Sequence, residues 1–420
     1  MIDHLAVSDA VADLLATPDT APVPRDTTTG HRQQLAYGPL GIALLHIERA
    51  ASGRGSWQRV HDWMATATAR PVTSGPDSHA FYGAPALAHT VACAANHLPG
   101  PYQRALDKLD TQLTADVTRR LDAAHRRIDA QLLPALSEFD CIRGLAGYGP
   151  HLLRRDPGSA TVRAVLDYCV RLTEPLTDQG ETLPGWWTAH GPSGRPDPGF
   201  PLGHGNTGVA HGIGGVLAFL ALSARNGTVV DGHHDALRTV LAWLDRWQEP
   251  AGQVPMWPYW VTRAELRNDL LIPSSPRRPS WCYGTAGLAR AQQLAAHVLG
   301  DTGRQTTAEE AFICALQDPA QMKATAGIGL CHGFAGLAHL AARTSHDAHP
   351  STAERLRAAI PPLLESVCLP DAAPAETARA LVQDEESGPG FLNGAAGIAL
   401  GLMSAAEAPR SAWDSCLLTA

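Results

Sequence analysis

The chain has 420 residues, 45% of them apolar and 18% charged, and its 33 Lys and Arg against 41 Asp and Glu give a formal net charge of -8. This is ample material for a core, and the negative balance with no basic block argues against nucleic acid as the main partner, because phosphate binding wants clustered Lys and Arg. Alanine and leucine lead the apolar set while β-branched residues are comparatively few, which favours helices over sheets.

The N-terminal stretch MIDHLAVSDAVADLLATPDT has no basic segment followed by an apolar run, so no secretory signal is expected. No apolar run reaches the ~20 residues that span a bilayer. A cytoplasmic location is the expectation. The eight cysteines, at 93, 141, 169, 282, 314, 331, 368 and 416, form no CxxC pair. They read as free thiols, some of them available to a metal.

From Tyr37 onward one form recurs: a Gly, two small or variable residues, usually a second Gly, then an apolar helical run. The copies are YGPLGIALLHI from Tyr37, YGAPALAHTVA from Tyr82, RGLAGYGPHLL from Arg143, HGIGGVLAFLAL from His211, YGTAGLARAQQLAA from Tyr283, HGFAGLAHLAA from His332 and NGAAGIALGLMSA from Asn393. The second is degenerate, with Ala86 at the place of the second Gly. Consecutive copies stand between 45 residues (Gly38 to Gly83) and 72 residues (Gly212 to Gly284) apart, enough for two helices and two loops. The intervening stretches carry amphipathic helical periodicity, as in HHDALRTVLAWLDRW from His233 and STAERLRAAIPPLLESV from Ser351. Each repeat is then a helical hairpin, and the expected fold is all-α. It is a closed α/α toroid of seven helical-hairpin repeats, with inner and outer helix rings and all seven turns at one end, formed by residues 1–420 as a single domain. A solenoid would also satisfy the repeats, but no polar capping repeat stands at either end.

Two irregular stretches interrupt the pattern. Residues 180–210, rich in Gly, Pro and Trp, predict a long loop ordered by Trp186 and Trp187. The second, EPAGQVPMWPYWVTRAEL from Glu249, also carries aromatics. Both precede turns with chemistry. Cys282 stands in SWCYG, and Cys331 with His332 in GLCHG. Two thiolates and an imidazole suit Zn²⁺, and three protein ligands leave the open fourth position of a catalytic site. The alternative, cysteines acting as small buried hydrophobes, is preferred for Cys93, Cys169, Cys314, Cys368 and Cys416. His211 directly precedes Gly212, and Asp140 lies four residues before Gly144. A carboxylate paired to a histidine fixes its tautomer and raises its basicity. Either residue alone could instead be a hydrogen-bonded histidine or a helix cap. Arg278 is placed to hold a carbonyl or carboxylate, and His204 in LGHGNTG is a further loop candidate.

The strings SWCYG, GLCHG, VAHGIGG and FDCIRGLAG resemble the lanthionine synthetase C-like (LanC) family, which includes the cyclases of class I lantibiotic biosynthesis. The resemblance runs from Tyr37 to the closing SAWDSCLL, and WCYG and CHG are its most specific parts. It implies an α/α toroid, a zinc ion held by Cys282, Cys331 and His332, His211 as acid/base with Asp140 beside it, and active-site roles for Arg278 and Tyr283. The implied reaction is Michael addition of peptide cysteine thiolates to dehydroalanine or dehydrobutyrine, giving (methyl)lanthionine rings. The implied partners are a dehydrated precursor peptide of leader and core, a separate dehydratase, and a peptide transporter that would hold the enzyme beside the membrane. No P-loop or dinucleotide fingerprint is present. Rival readings are a relative that adds glutathione or another thiol to dehydrated residues, and a non-catalytic scaffold with a structural zinc. A prenyltransferase would need clustered basic residues for a diphosphate, and an α/α glycosidase a pair of carboxylates. The sequence supplies neither.

Overall fold

The computed structural model describes residues 3–19, 21, 32–249, 255–272 and 277–420. Part of the aromatic stretch from Glu249, residues 250–254, lies outside them. In chain order the helices are α1 (His4–Leu14), α2 (Pro39–Ala51), α3 (Trp57–Thr68), α4 (Ala84–Ala95), α5 (Pro99–Asp129), α6 (Leu136–Phe139), α7 (Leu145–Arg155), α8 (Ala160–Arg171) and α9 (Ile213–Arg225). They continue as α10 (His233–Arg246), α11 (Arg263–Asn268), α12 (Thr285–Leu299), α13 (Thr302–Gln317), α14 (Pro319–Ala324), α15 (Phe334–Asp347), α16 (Pro350–Glu365), α17 (Pro374–Gln383) and α18 (Ala395–Ala406). None of the described helices is long and apolar enough to cross a membrane.

All seven Gly-led segments form helices, and in each the first glycine is the N-cap, without a side-chain capping bond. These helices are apolar nearly all round, as AAGIALGLMSAA in α18 shows, and such a helix must be buried. Three of the helices that follow them use polar side-chain caps. Ser56, Ser159 and Asp301 accept backbone N–H bonds at the starts of α3, α8 and α13, which satisfies orphan donors at solvent-facing ends.

The second glycine has a steric cause. At Gly41, Gly215, Gly287, Gly336 and Gly397, an added Cβ would land against the carbonyl oxygen six residues earlier, those of Leu35, Val209, Trp281, Leu330 and Phe391. The chain doubles back over its own helix start, and only a hydrogen fits. The degenerate repeat tolerates Ala86 because its turn is built differently. Gly83 takes the left-handed region at φ 73°, and Ala84 bonds back to the Thr73 carbonyl at 2.8 Å.

The chain divides into two compact units, residues 1–113 with 325–414, and 114–324 with 415–420. In the first, α15, α18, α2 and α4 pack side by side in that order, with α16 on α15, α3 on α2, and α1 on α17 and α18. The N-terminal helix thus supplies the amphipathic cover of the last glycine-capped helix. A buried carboxylate pins this unit: Asp414 accepts from Arg343 at 2.6 and 2.8 Å and lies 3.2 Å from His339. In the second unit α9 packs between α7 and α12, with α8 on α7, α10 on α9 and α13 on α12. The C-terminal residues thread into it. Trp281 Nε1 donates to the Leu417 carbonyl at 2.8 Å, and Arg290 Nε to that of Thr419 at 2.9 Å.

The expected long loop is more ordered than its composition suggests. Strands β1 (Leu176–Asp178) and β2 (Glu181–Leu183) form an antiparallel hairpin, and β3 (His204–Asn206) pairs antiparallel with β4 (Trp260–Thr262). Trp186 and Trp187 are buried beneath them as expected, and Trp187 Nε1 donates to the Leu202 carbonyl at 3.0 Å.

Candidate active site

The glycine turns place their side chains by register. Three residues before the first glycine stand Leu35, Cys141, Val209, Trp281, Leu330 and Phe391, all buried anchors. The next two positions are Cys282 and Tyr283 in one turn, Cys331 and His332 in another, and Ala210 and His211 in a third. Neighbouring turns are laced backbone to backbone. The Cys141 N–H donates to the Ala210 carbonyl at 3.1 Å, and that of Val209 to Cys282 at 3.1 Å. In the first unit the Cys331 N–H donates to Leu392 at 2.8 Å, Leu392 to Ala36 at 3.2 Å, and Leu35 to Phe81 at 2.9 Å. These links hold the chemistry-bearing positions level with their neighbours within each unit.

His211 and Asp140 meet as a pair. His211 Nδ1 lies 2.8 Å from Asp140 Oδ2, with the histidine side chain 35% exposed and the carboxylate 2% exposed, so a reactant can reach the ring but not the acid. The other carboxylate oxygen accepts the backbone N–H groups of Arg143 at 2.5 Å and Gly144 at 2.8 Å. Asp140 is not the cap of α7, which is Gly144, but its carboxylate fastens the preceding turn with one oxygen and meets the histidine with the other. Because the carboxylate can only accept, Nδ1 carries the hydrogen and Nε2 is the working nitrogen.

The ligand atoms of Cys282, Cys331 and His332 all lie within 4.8 Å of one another, close enough to bind a metal ion. Cys282 is buried and the other two are half-buried. The donor set, two sulfurs and an imidazole, is the soft, borderline chemistry that suits zinc, and three donors are the number a catalytic site offers. It is the group of three or more His, Cys, Asp or Glu side chains with ligand geometry among the described residues. The remaining cysteines do not join it. Cys93, Cys141, Cys169, Cys368 and Cys416 are buried in the core, and Cys314 is half-buried. Burial pushes the Cys169 thiol far above the ordinary thiol range, which suits an inert packing residue.

Tyr283 stands over the histidine, their ring centroids 6.3 Å apart, and is walled by Tyr259 at 5.4 Å and Trp260 at 6.0 Å. Arg278 is tied at its backbone and not at Nε. Its carbonyl accepts from the Tyr259 hydroxyl at 3.0 Å, whereas its buried Nε has no hydrogen-bond partner among the described residues. The adjacent Arg277 is engaged with Glu249. His204 is fully buried, and burial pushes its imidazole down to about 4.

Sequence reasoning missed Asn206, Tyr259 and Trp260. Asn206 Nδ2 lies 3.1 Å from the Tyr283 hydroxyl and 3.2 Å from His204 Nε2. The signal was present in LGHGNTGVAHG: Asn206 sits between His204 and two glycines that make room for this cluster. A Cβ on Gly208 would fall 2.7 Å from the Tyr283 ring, and one on Gly212 would fall 2.5 Å from Asn206 Oδ1.

Comparison with known proteins gives three results. A family model described as lanthionine synthetase C-like protein matches residues 31–418. The chain is 26% identical over 139 residues to the nisin biosynthesis protein NisC of Lactococcus lactis subsp. lactis, an alignment covering 33% of this chain and 32% of that protein. It thus spans about a third of that curated relative. Among solved structures it is similar to a nisin cyclase, with a TM-score of 0.77 at 20% identity over 97% of this chain and 96% of the other. That likeness assigns the fold to the α/α toroid expected from the repeats.

Proposed function

The chain belongs to the lanthionine synthetase C-like family, and on that footing we propose that it is a lanthipeptide cyclase, adding cysteine thiols of a dehydrated precursor peptide to dehydroalanine and dehydrobutyrine. The observation that carries this reading is the set of two thiols and an imidazole whose ligand atoms lie within 4.8 Å of one another, with the His211–Asp140 pair on a turn bonded to that of Cys282. On this reading residues 1–420 act as one domain. A separate dehydratase supplies the substrate, and a peptide transporter removes the product and keeps the enzyme near the membrane.

Cys282, Cys331 and His332 would hold zinc, which when bound lowers the pKa of a coordinating substrate thiol and presents it as a thiolate. The thiolate sulfur bonds to the β-carbon, and the π electrons move toward the carbonyl. His211 donates a proton from Nε2 to the α-carbon, and the thiol's lost proton restores it, so no proton is gained or lost overall. Asp140 stabilises the imidazolium and keeps its ring in place. The enolate oxygen formed in passing needs hydrogen-bond donors already in position. Tyr283 stands beside His211, and the buried Arg278 Nε, lacking a partner among the described residues, is a donor suited to a substrate carbonyl.

Ring closure leaves peptide mass unchanged but consumes one thiol per ring. Incubating the purified protein with a dehydrated, cysteine-containing precursor, then counting free thiols by maleimide mass tagging, tests the reading. Progressive loss of tags at constant peptide mass is expected. Thiols that persist, or a mass increase from added glutathione in place of ring closure, would reject it.

A further inference from the structure

We propose that Asn393 and Tyr37 bind the precursor peptide beside the turn of Cys331 and His332, the Asn393 amide pairing with its backbone and the Tyr37 ring seating an apolar side chain. The proposal rests on the cyclase reading above and adds a peptide-binding row to it.

The row follows from a packing rule that recurs within each unit. The residue before the first glycine of one turn lies against the position four residues before the first glycine of a neighbouring turn. In the second unit this is how His211 meets Asp140 at 2.8 Å, and how the Tyr283 ring comes within 2.7 Å of a Cβ built on Gly208. In the first unit a Cβ on Gly329 would fall 2.6 Å from Asn393 Cα, and one on Gly390 would fall 2.6 Å from Tyr37 Cα. Asn393 and Tyr37 therefore hold in their turns the register that His332 holds in its own. Backbone bonds make the three turns contiguous. The Cys331 N–H donates at 2.8 Å to the carbonyl of Leu392, the residue before Asn393, and the Leu392 N–H donates at 3.2 Å to that of Ala36, the residue before Tyr37. One step along the row leads from His332 to Asn393, and the next leads to Tyr37.

Both side chains are open to a ligand. Tyr37 is 52% exposed, against the burial of most large apolar residues in this chain, and Asn393 is half-buried. Among the described residues neither side chain has a hydrogen-bond or ring partner. The other tyrosine of the row, Tyr82, differs in that its hydroxyl meets that of Thr73 at 3.2 Å. A primary amide offers one acceptor and two donors, the complement of a peptide group. It reads backbone whatever the sequence, and an aromatic ring accepts varied apolar side chains. Both suit a peptide whose cysteines stand in different sequence surroundings. Peptide held on this row lies next to the turn that carries Cys331 and His332.

The test uses the whole metal-loaded chain and a fluorescein-labelled synthetic peptide carrying a cysteine, a dehydroalanine and flanking residues on both sides. Asn393→Ala is expected to raise both the peptide Kd, read by fluorescence anisotropy, and the KM for thiol consumption about 3–10-fold, the worth of one hydrogen bond. Tyr37→Ala should raise them by a similar factor. The two losses should multiply in the double variant, because the side chains share no partner. In all three, kcat stays within about twofold, the pattern of a lost contact that binds ground state and transition state alike, and zinc content matches the wild type. Leu369→Ala, which trims a side chain 44% exposed in the same unit but outside the row, should change neither Kd nor KM. Row variants that keep Kd and KM at wild-type values would overturn the proposal. So would a loss of zinc or of kcat in step with KM, which would make these residues mere supports of the neighbouring turn. A wild type that consumes no peptide thiols would instead reject the cyclase reading itself.

Discussion

Cys331→Ala is expected to empty the metal position and to slow thiol consumption about 10³-fold, the equivalent of ~4 kcal/mol of barrier. Of the three donors, Cys331 and His332 come from one turn and Cys282 from another. Removing Cys331 leaves one donor on each. Two donors bind zinc far more weakly than three and leave less thiolate charge to offset the ion. Without the ion a substrate thiol reverts to its ordinary pKa near 8.5 and is mostly protonated at neutral pH. The fold should survive, since Cys331 is half-buried while the anchoring side chain of its turn is the buried Leu330. Zinc content, thermal midpoint and thiol-consumption rate, measured together, check this. A variant that lost its metal yet kept activity within tenfold of wild type would show that the cluster has no part in the reaction.

His211→Gln carries the second large effect, a fall in kcat of about 10²–10⁴-fold, the usual contribution of a general acid or base. Glutamine can still donate to Asp140 but cannot deliver a proton to carbon. Metal content should be unchanged, which separates this loss from that of Cys331→Ala. Asp140→Asn should fall in between. The asparagine oxygen can keep the Arg143 and Gly144 N–H bonds that hold the turn, but its amide nitrogen would face His211 Nδ1 as a donor and reverse the tautomer. Rates and zinc stoichiometry for the two variants provide the check. If His211→Gln retained most of the wild-type kcat, proton delivery would have to come from another group.

What was legible in the sequence was what sterics and register write locally. Five of the second glycines announced themselves because they back onto a carbonyl of their own turn, so the constraint lies within seven residues of chain. The Cys282, Cys331 and His332 cluster was legible because equal spacing from a capping glycine sends side chains to equivalent places. Asp140 was ambiguous in sequence because its two roles, helix-turn fastener and histidine partner, use different oxygens of one carboxylate. The β3–β4 pairing was hidden: two three-residue strands more than fifty residues apart, His204 opposite Thr262, have no periodicity to detect. Asn206, Tyr259 and Trp260 went unseen with it, since their partners are set by that pairing. The lacing of one turn's N–H groups to the next turn's carbonyls was also invisible, because backbone bonds carry no residue signature.

The central claim, a thiol-activating metal centre built from Cys282, Cys331 and His332, is tested most directly by the zinc content of the purified wild-type chain, measured by elemental analysis without chelators at any step. The account predicts about one zinc per chain, the occupancy of a single three-ligand site. Wild-type protein that folds normally and contains no zinc, even after anaerobic purification with zinc supplied, would contradict it.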